Sequence, residues 1–141
     1  MTTQQRSKIP VGFEPAPARG PFLEMNGPIW RKPGQDGEPP IFGFVAEDRH
    51  TNGLGVLHGG MMAAFLDNAM AQSIYDRHKC RLVTLDLSVS YKHVVPKQRW
   101  LEARVSLETT DENRIEAKVE AMCRNMLCAE ARGVFQLFPR H

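Results

Sequence analysis

The feature that most constrains this fold is one long apolar segment, from Gly59 to about Arg77, whose large apolar residues recur at helical spacing. As a helix, these residues would span about 28 Å. Apolar side chains occupy most of the circumference, so such a helix must be covered on nearly every side. The exception is a narrow polar arc of Gln72, Asp76 and Lys79, which is typical of a solvated face.

After this helix the apolar residues alternate with polar ones, which is the pattern of half-buried strands. Four such segments follow one another through short turns, so we predict an antiparallel sheet with one apolar face. The residues predicted to face inward are Val83, Leu85, Leu87, Val89 and Tyr91 in the first segment, Leu101, Ala103, Val105 and Leu107 in the second, and Ile115, Ala117, Val119, Ala121 and Cys123 in the third.

The N-terminal part of the chain is rich in proline, with eight of the ten prolines among residues 1–40. Proline is excluded from helix interiors and central strands, so we expect residues 1–25 to form an extended arm and residues 26–141 to form a single domain. The stretch "GPIWRKPGQDGEPPIFGFVAED" predicts two short strands joined by a turn.

Composition excludes several classes of protein. The 141 residues suit one domain, and the net charge of +2 without a long basic run does not favour nucleic-acid binding. The three cysteines form no close pair, and neither a secretory leader nor a membrane-spanning stretch is apparent, so we expect a cytoplasmic protein with no membrane association. The histidines lack metal-ligand spacing, so no metal is expected.

These patterns together predict an α+β fold, in which a curved antiparallel sheet wraps around one long central helix. A single wrapped sheet leaves strand edges unpaired, so we also expect association with a second copy of the chain.

One carboxylate, Asp67, interrupts the apolar helix near its middle. A buried charge is costly unless it is paired or used in chemistry. The helix begins with Gly59 and Gly60, whose unobstructed backbone N–H groups could polarise a carbonyl oxygen, while a carboxylate could activate water for acyl transfer. The eight residues from Gly59 to Asp67 correspond to about 12 Å, so the two parts are expected to come from different chains of a homodimer.

The stretch "TNGLGVLHGGMMAAFLDNAM" resembles the signature of the hotdog-fold thioesterases, specifically the phenylacetic-acid-pathway type. The resemblance extends over roughly residues 40–138. It implies that Asn52 is the loop asparagine and that Gly59 polarises the thioester carbonyl. It also implies that Asp67 is the general base or nucleophile and that Thr84 helps to place the water. The resemblance further implies an acyl-CoA substrate, no cofactor, and a site built from two subunits.

Four further residues are candidates for substrate binding: His58, Gly60, Lys92 and Lys97. His58 is expected to cap the helix or orient the loop rather than transfer a proton. The basic residues near the end of the first strand would be solvated surface or would hold the phosphates of coenzyme A. Strict alternation places Thr84 on the face opposite Leu85, so Thr84 reaches the site only through a partner chain or a bulge in the strand.

The sequence therefore predicts a hydrolase of acyl-CoA thioesters that forms a dimer or a dimer of dimers. Two alternatives remain open: a hotdog-fold hydratase or dehydratase of acyl thioesters, and an acyl-CoA-binding protein without catalysis.

Overall fold

The structure is a computed structural model that describes residues 8–140, and the N-terminal part of the predicted arm before Lys8 lies outside the described residues. Its main feature is a seven-stranded antiparallel sheet with the strand order β1-β2-β3-β5-β6-β7-β4. The strands are β1 (Glu14–Pro15), β2 (Trp30–Lys32), β3 (Ile41–Val45), β4 (Arg81–Tyr91), β5 (Trp100–Asp111), β6 (Arg114–Cys123) and β7 (Met126–Phe138), and the helices are α1 (Pro21–Asn26) and α2 (Gly59–His78).

Helix α2 lies against the inner face of the sheet, as the apolar segment predicts. It begins after His58 and ends at Lys79, whose left-handed conformation stops the helix. The side chains of Phe65, Leu66 and Met70 are fully buried in the core. Burial of this long apolar surface is what commits the chain to one helix enclosed by one sheet.

The polar arc beside α2 is solvated at Lys79, but the expectation of a solvated face is wrong for Gln72. Gln72 is buried, and its Oε1 accepts a hydrogen bond from Arg19 Nε at 3.2 Å. Arg31 forms an ion pair with Asp76 on the same arc. The proline-rich segment before β3 therefore supplies the arginines that cover the polar side of the helix.

Strands β2 and β3 form the predicted short hairpin, with Lys32 opposite Ile41. On β5 and β6 the predicted inward residues are buried, apart from the half-buried Leu107. Regular pairing between these strands preserves the alternation that the sequence predicts.

Strand β4 differs from the prediction at its first half. Thr84 pairs with Phe135 and Asp86 pairs with Val134, so Leu85 is an extra, unpaired residue that forms a bulge. The bulge reverses the alternation, and Val83 and Leu85 are exposed rather than inward. Beyond the bulge the prediction holds for Leu87 and Val89, which pack against the core, but Tyr91 is exposed.

Among residues 8–140, β4 pairs only with β7, so this strand is one edge of the sheet. The other edge is the very short β1, so β4 offers the longer row of unpaired backbone groups. Within residues 8–140 no helix is long and apolar enough to cross a membrane.

Candidate active site

The carboxylate of Asp67 lies on α2 facing β4, where it meets Thr84. Thr84 Oγ1 donates a hydrogen bond to Asp67 Oδ1 at 2.8 Å. This is the only side-chain hydrogen bond to Asp67 within residues 8–140, and no cation pairs with it there. The bulge at Leu85 makes the contact, because it turns Thr84 toward the helix.

The environment of Asp67 disfavours the charged carboxylate. Burial raises the pKa of Asp67 above its usual value, and the hydrogen bond from Thr84 opposes that rise. A carboxylate that is half-buried and incompletely solvated is a stronger base than an exposed one, which suits proton abstraction from water.

The start of α2 forms the second part of the site. His58 Nδ1 accepts a hydrogen bond from the backbone N–H of Gly60 at 2.8 Å, so His58 caps the helix. The Gly60 N–H is therefore already used within the chain. Within residues 8–140 the N–H of Gly59 has no acceptor, so Gly59 offers the open donor at this helix end.

Asn52 lies in the tight loop that leads to this helix. Its Oδ1 accepts from Leu54 N at 2.9 Å, and its backbone N–H donates to Val56 O at the same distance. The loop is closed by the bridge between Thr51 and Leu57. Asn52 is thus held by its own turn on an exposed loop.

The two candidate lysines lie at the same end of the molecule as the start of α2. Lys92 follows Tyr91 and pairs with Glu130, with 3.7 Å between Nζ and Oε1. The backbone N–H of Lys97 donates to Gly55 O in the loop before the helix. Both side chains are exposed, so they border the helix start without contacting Asp67.

Sequence reasoning assigned no functional role to Tyr91. Its hydroxyl donates to the carbonyl oxygen of Gly59 at 2.6 Å, so the end of β4 is tied to the start of α2. The contact joins residues 32 positions apart, and no local motif indicates it.

One chain therefore contains two separate half-sites. One comprises Asp67 and Thr84, and the other comprises Asn52, His58 and Gly59. About 12 Å of helix separates Gly59 from Asp67, which is too far for both to act on one carbon atom. Within the described part of the chain no group of His, Cys, Asp or Glu side chains is arranged to hold a metal ion.

Comparison with known proteins identifies the family to which this geometry belongs. A family model described as the thioesterase superfamily matches residues 54–129, which is just over half of the chain. The chain belongs to the thioesterase superfamily. The match includes the start of α2, Asp67 and Thr84, and membership supports thioester hydrolysis as the general activity.

Individual relatives agree with this family. The chain is 25% identical over 132 residues to PA0474 of Pseudomonas aeruginosa, named as a candidate esterase, and the match covers 92% of this chain and 97% of that protein.

Solved structures show the same fold. A phenylacetic acid degradation-related protein of Ralstonia eutropha, described as a candidate thioesterase, has a TM-score of 0.74 at 23% identity, covering 84% of this chain and 92% of that one. The BH2602 protein of Bacillus halodurans, crystallised with CoA, has a TM-score of 0.65 at 23% identity, covering 70% of this chain and 66% of that one. The predicted hotdog fold is confirmed.

Proposed function

We propose that this thioesterase hydrolyses acyl-CoA to a free acid and CoA. The observation that carries the proposal is the presence of two complementary groups in the chain. Asp67 is half-buried, its pKa is raised and it accepts a hydrogen bond from Thr84, while the Gly59 N–H at the start of α2 is an open donor. A base and a carbonyl-polarising donor are the two groups that hydrolysis of a thioester requires.

In the proposed step, Asp67 takes a proton from water while the water oxygen attacks the thioester carbon. The carbonyl electron pair moves onto oxygen, where the Gly59 N–H and the positive end of α2 stabilise the developing charge. Thr84 holds the carboxylate, and Asn52 helps to position the acyl group. The tetrahedral intermediate then collapses, the C–S bond breaks, and the CoA sulfur leaves with the proton that Asp67 took from water, which restores the carboxylate.

The separation of the half-sites supports a homodimer, in which Asp67 of one chain faces Gly59 of the other. Strand β4 is the expected dimer interface, because it is an eleven-residue edge strand with Val83 and Leu85 exposed. Pairing across this edge would bury apolar surface and unpaired backbone together.

The CoA portion of the substrate is supported by two features. Lys92 and Lys97 are exposed at the helix-start end, where they can meet phosphates. BH2602, which shares the fold, was crystallised with CoA. A hydratase would need a histidine beside the carboxylate as an acid/base pair, whereas the partner of Asp67 in this chain is a threonine.

The test is release of free thiol from short, medium, long and aryl acyl-CoAs by wild type and by two variants. Asp67→Asn keeps the volume and removes the base, and we expect turnover to fall by about 10²–10⁴-fold. Gly59→Pro removes the N–H and adds a ring that the first position of a helix accommodates, and we expect a fall of about 10²–10³-fold.

The matched control is Gly59→Ala, which keeps the N–H. The added Cβ would lie 3.5 Å from the Tyr91 hydroxyl, an ordinary contact, so this variant should stay active. Binding of acyl-CoA without thiol release would identify a binding protein instead. Loss of absorbance from an enoyl-CoA without thiol release would identify a hydratase.

A further inference from the structure

Strand β4 contacts both proposed half-sites of its chain, one near each end of the strand. Thr84 donates to Asp67 at 2.8 Å near the start of the strand, and Tyr91 donates to the Gly59 carbonyl at 2.6 Å at its end. Residues seven apart on a regular strand face opposite sides. The bulge at Leu85 brings Thr84 and Tyr91 to the same face.

The hydroxyl of Tyr91 acts on one particular peptide unit, the one between Gly59 and Gly60. Its N–H, from Gly60, donates to His58 Nδ1 at 2.8 Å, and its carbonyl oxygen, from Gly59, accepts from Tyr91 at 2.6 Å. A peptide unit is planar, so bonds at both ends fix its orientation.

The Gly59 N–H belongs to the preceding peptide unit, so the orientation of the Gly59–Gly60 unit restrains it from one side. On the other side of that N–H, the carbonyl of His58 accepts from Met62 N at 3.0 Å. The His58–Gly59 and Gly59–Gly60 peptide units are connected through the two backbone dihedrals of Gly59. Because glycine has no side chain, it restricts these dihedrals little. The Tyr91 bond therefore adds to the helix a restraint that comes from another element, strand β4.

We propose that Tyr91 is a positioning residue for hydrolysis, which aims the Gly59 N–H at the thioester oxygen by holding the Gly59 carbonyl. The inference rests on the proposed function of Gly59. Tyr91 acts through the backbone, so it affects the developing oxyanion whatever acyl group is bound, and its loss weakens the transition state rather than substrate binding.

The test compares Tyr91→Phe with Tyr75→Phe. Tyr75 is the only other tyrosine in the chain and lies on the same helix as Gly59. Within residues 8–140 its hydroxyl makes no hydrogen bond, while its ring packs under Arg19 at 4.2 Å. Each variant loses one hydroxyl and keeps its ring, so both are expected to fold, and Tyr91→Phe should lower Tm by only a few degrees.

We expect Tyr91→Phe to lower kcat by about 3- to 10-fold, the effect of one neutral hydrogen bond, with KM unchanged and the same factor for every acyl-CoA hydrolysed. Amide hydrogen exchange at Gly60 and Met61 should accelerate in this variant only. Tyr75→Phe should leave all of these quantities at the wild-type level.

Three results would overturn the inference: an unchanged kcat, a raised KM with unchanged kcat, or a factor that depends on the acyl group. The last two would make Tyr91 a substrate contact. Failure of the proposed function is recognised separately, since then wild type releases no thiol or Gly59→Pro retains activity.

Discussion

At the scale of single residues, the hydrogen bond from Thr84 tunes the pH at which Asp67, the proposed base, is deprotonated. Burial raises the pKa of Asp67 and Thr84 opposes the rise, so removing the hydroxyl should raise the pKa further. A base works only when deprotonated, so activity falls as the pH falls through this pKa. Thr84→Val should therefore move the acid limb of the kcat profile to higher pH.

The matched control is Thr84→Ser, which keeps the hydroxyl and should restore the position of the limb. The measurement is kcat against pH for the three proteins with one acyl-CoA. A limb that stays in place, or moves to lower pH, in Thr84→Val would show that the hydroxyl does not tune the base.

Residue patterns predicted part of this site and missed part of it. Asp67 was conspicuous because a carboxylate among apolar residues requires a reason, and the glycines at the helix start indicated an open N-terminus. No sequence pattern of this kind indicates Tyr91, because its proposed role depends on a contact with Gly59 that forms only when the chain folds.

At the scale of elements, alternation predicted the inner faces of β5 and β6 but not the first half of β4. The period of two assumes that every residue has a partner, and Leu85 has none. The bulge depends on register against β7, some fifty residues later in the chain, so a local pattern cannot locate it.

The bulge leads to a prediction about deletions. Thr84 pairs with Phe135 and Tyr91 with Ala129, so β7 spans the interval with one residue fewer than β4 does. Removing Leu85 would leave a regular strand in which Thr84 and Tyr91 still share a face. We expect this deletion to keep thiol release within about tenfold of wild type, the cost of local rearrangement.

Deleting Ser88 instead is the matched control. It also shortens β4 by one residue but removes a paired position. If the bulge is kept, Thr84 and Tyr91 face opposite sides, and if the bulge is lost, Asp86 turns inward and Leu87 turns away from the core. We expect loss of activity from that variant alone. Equal activity of the two deletion variants, or equal loss, would show that the bulge does not determine whether Thr84 and Tyr91 lie on the same face of β4.

At the scale of the whole molecule, each chain holds two proposed half-sites that are too far apart to act on one thioester. A second copy of the chain would dock at the exposed edge of β4, and this would bring Gly59 of one chain close to Asp67 of the other. The sequence predicts a partner chain because eight residues of helix separate Gly59 from Asp67. In the folded chain both residues lie on the continuous helix α2, so that separation remains.

Subunit complementation tests this arrangement directly. Asp67→Asn and Gly59→Pro are each nearly inactive as homodimers if the proposal holds. In a mixed dimer, one site receives both altered residues and the other receives neither, so that second site is wild type. Random pairing makes half of the dimers mixed, each with one working site, so co-expression of the two variants should recover about a quarter of wild-type activity.

The recovered activity should purify with dimers that carry the affinity tags of both variants, and should be missing from dimers that carry either tag alone. Sites contained within a single chain would behave differently, because every site would then keep one defect. Co-expression would recover nothing in that case, and the separation between Gly59 and Asp67 would have to close by a movement within the chain.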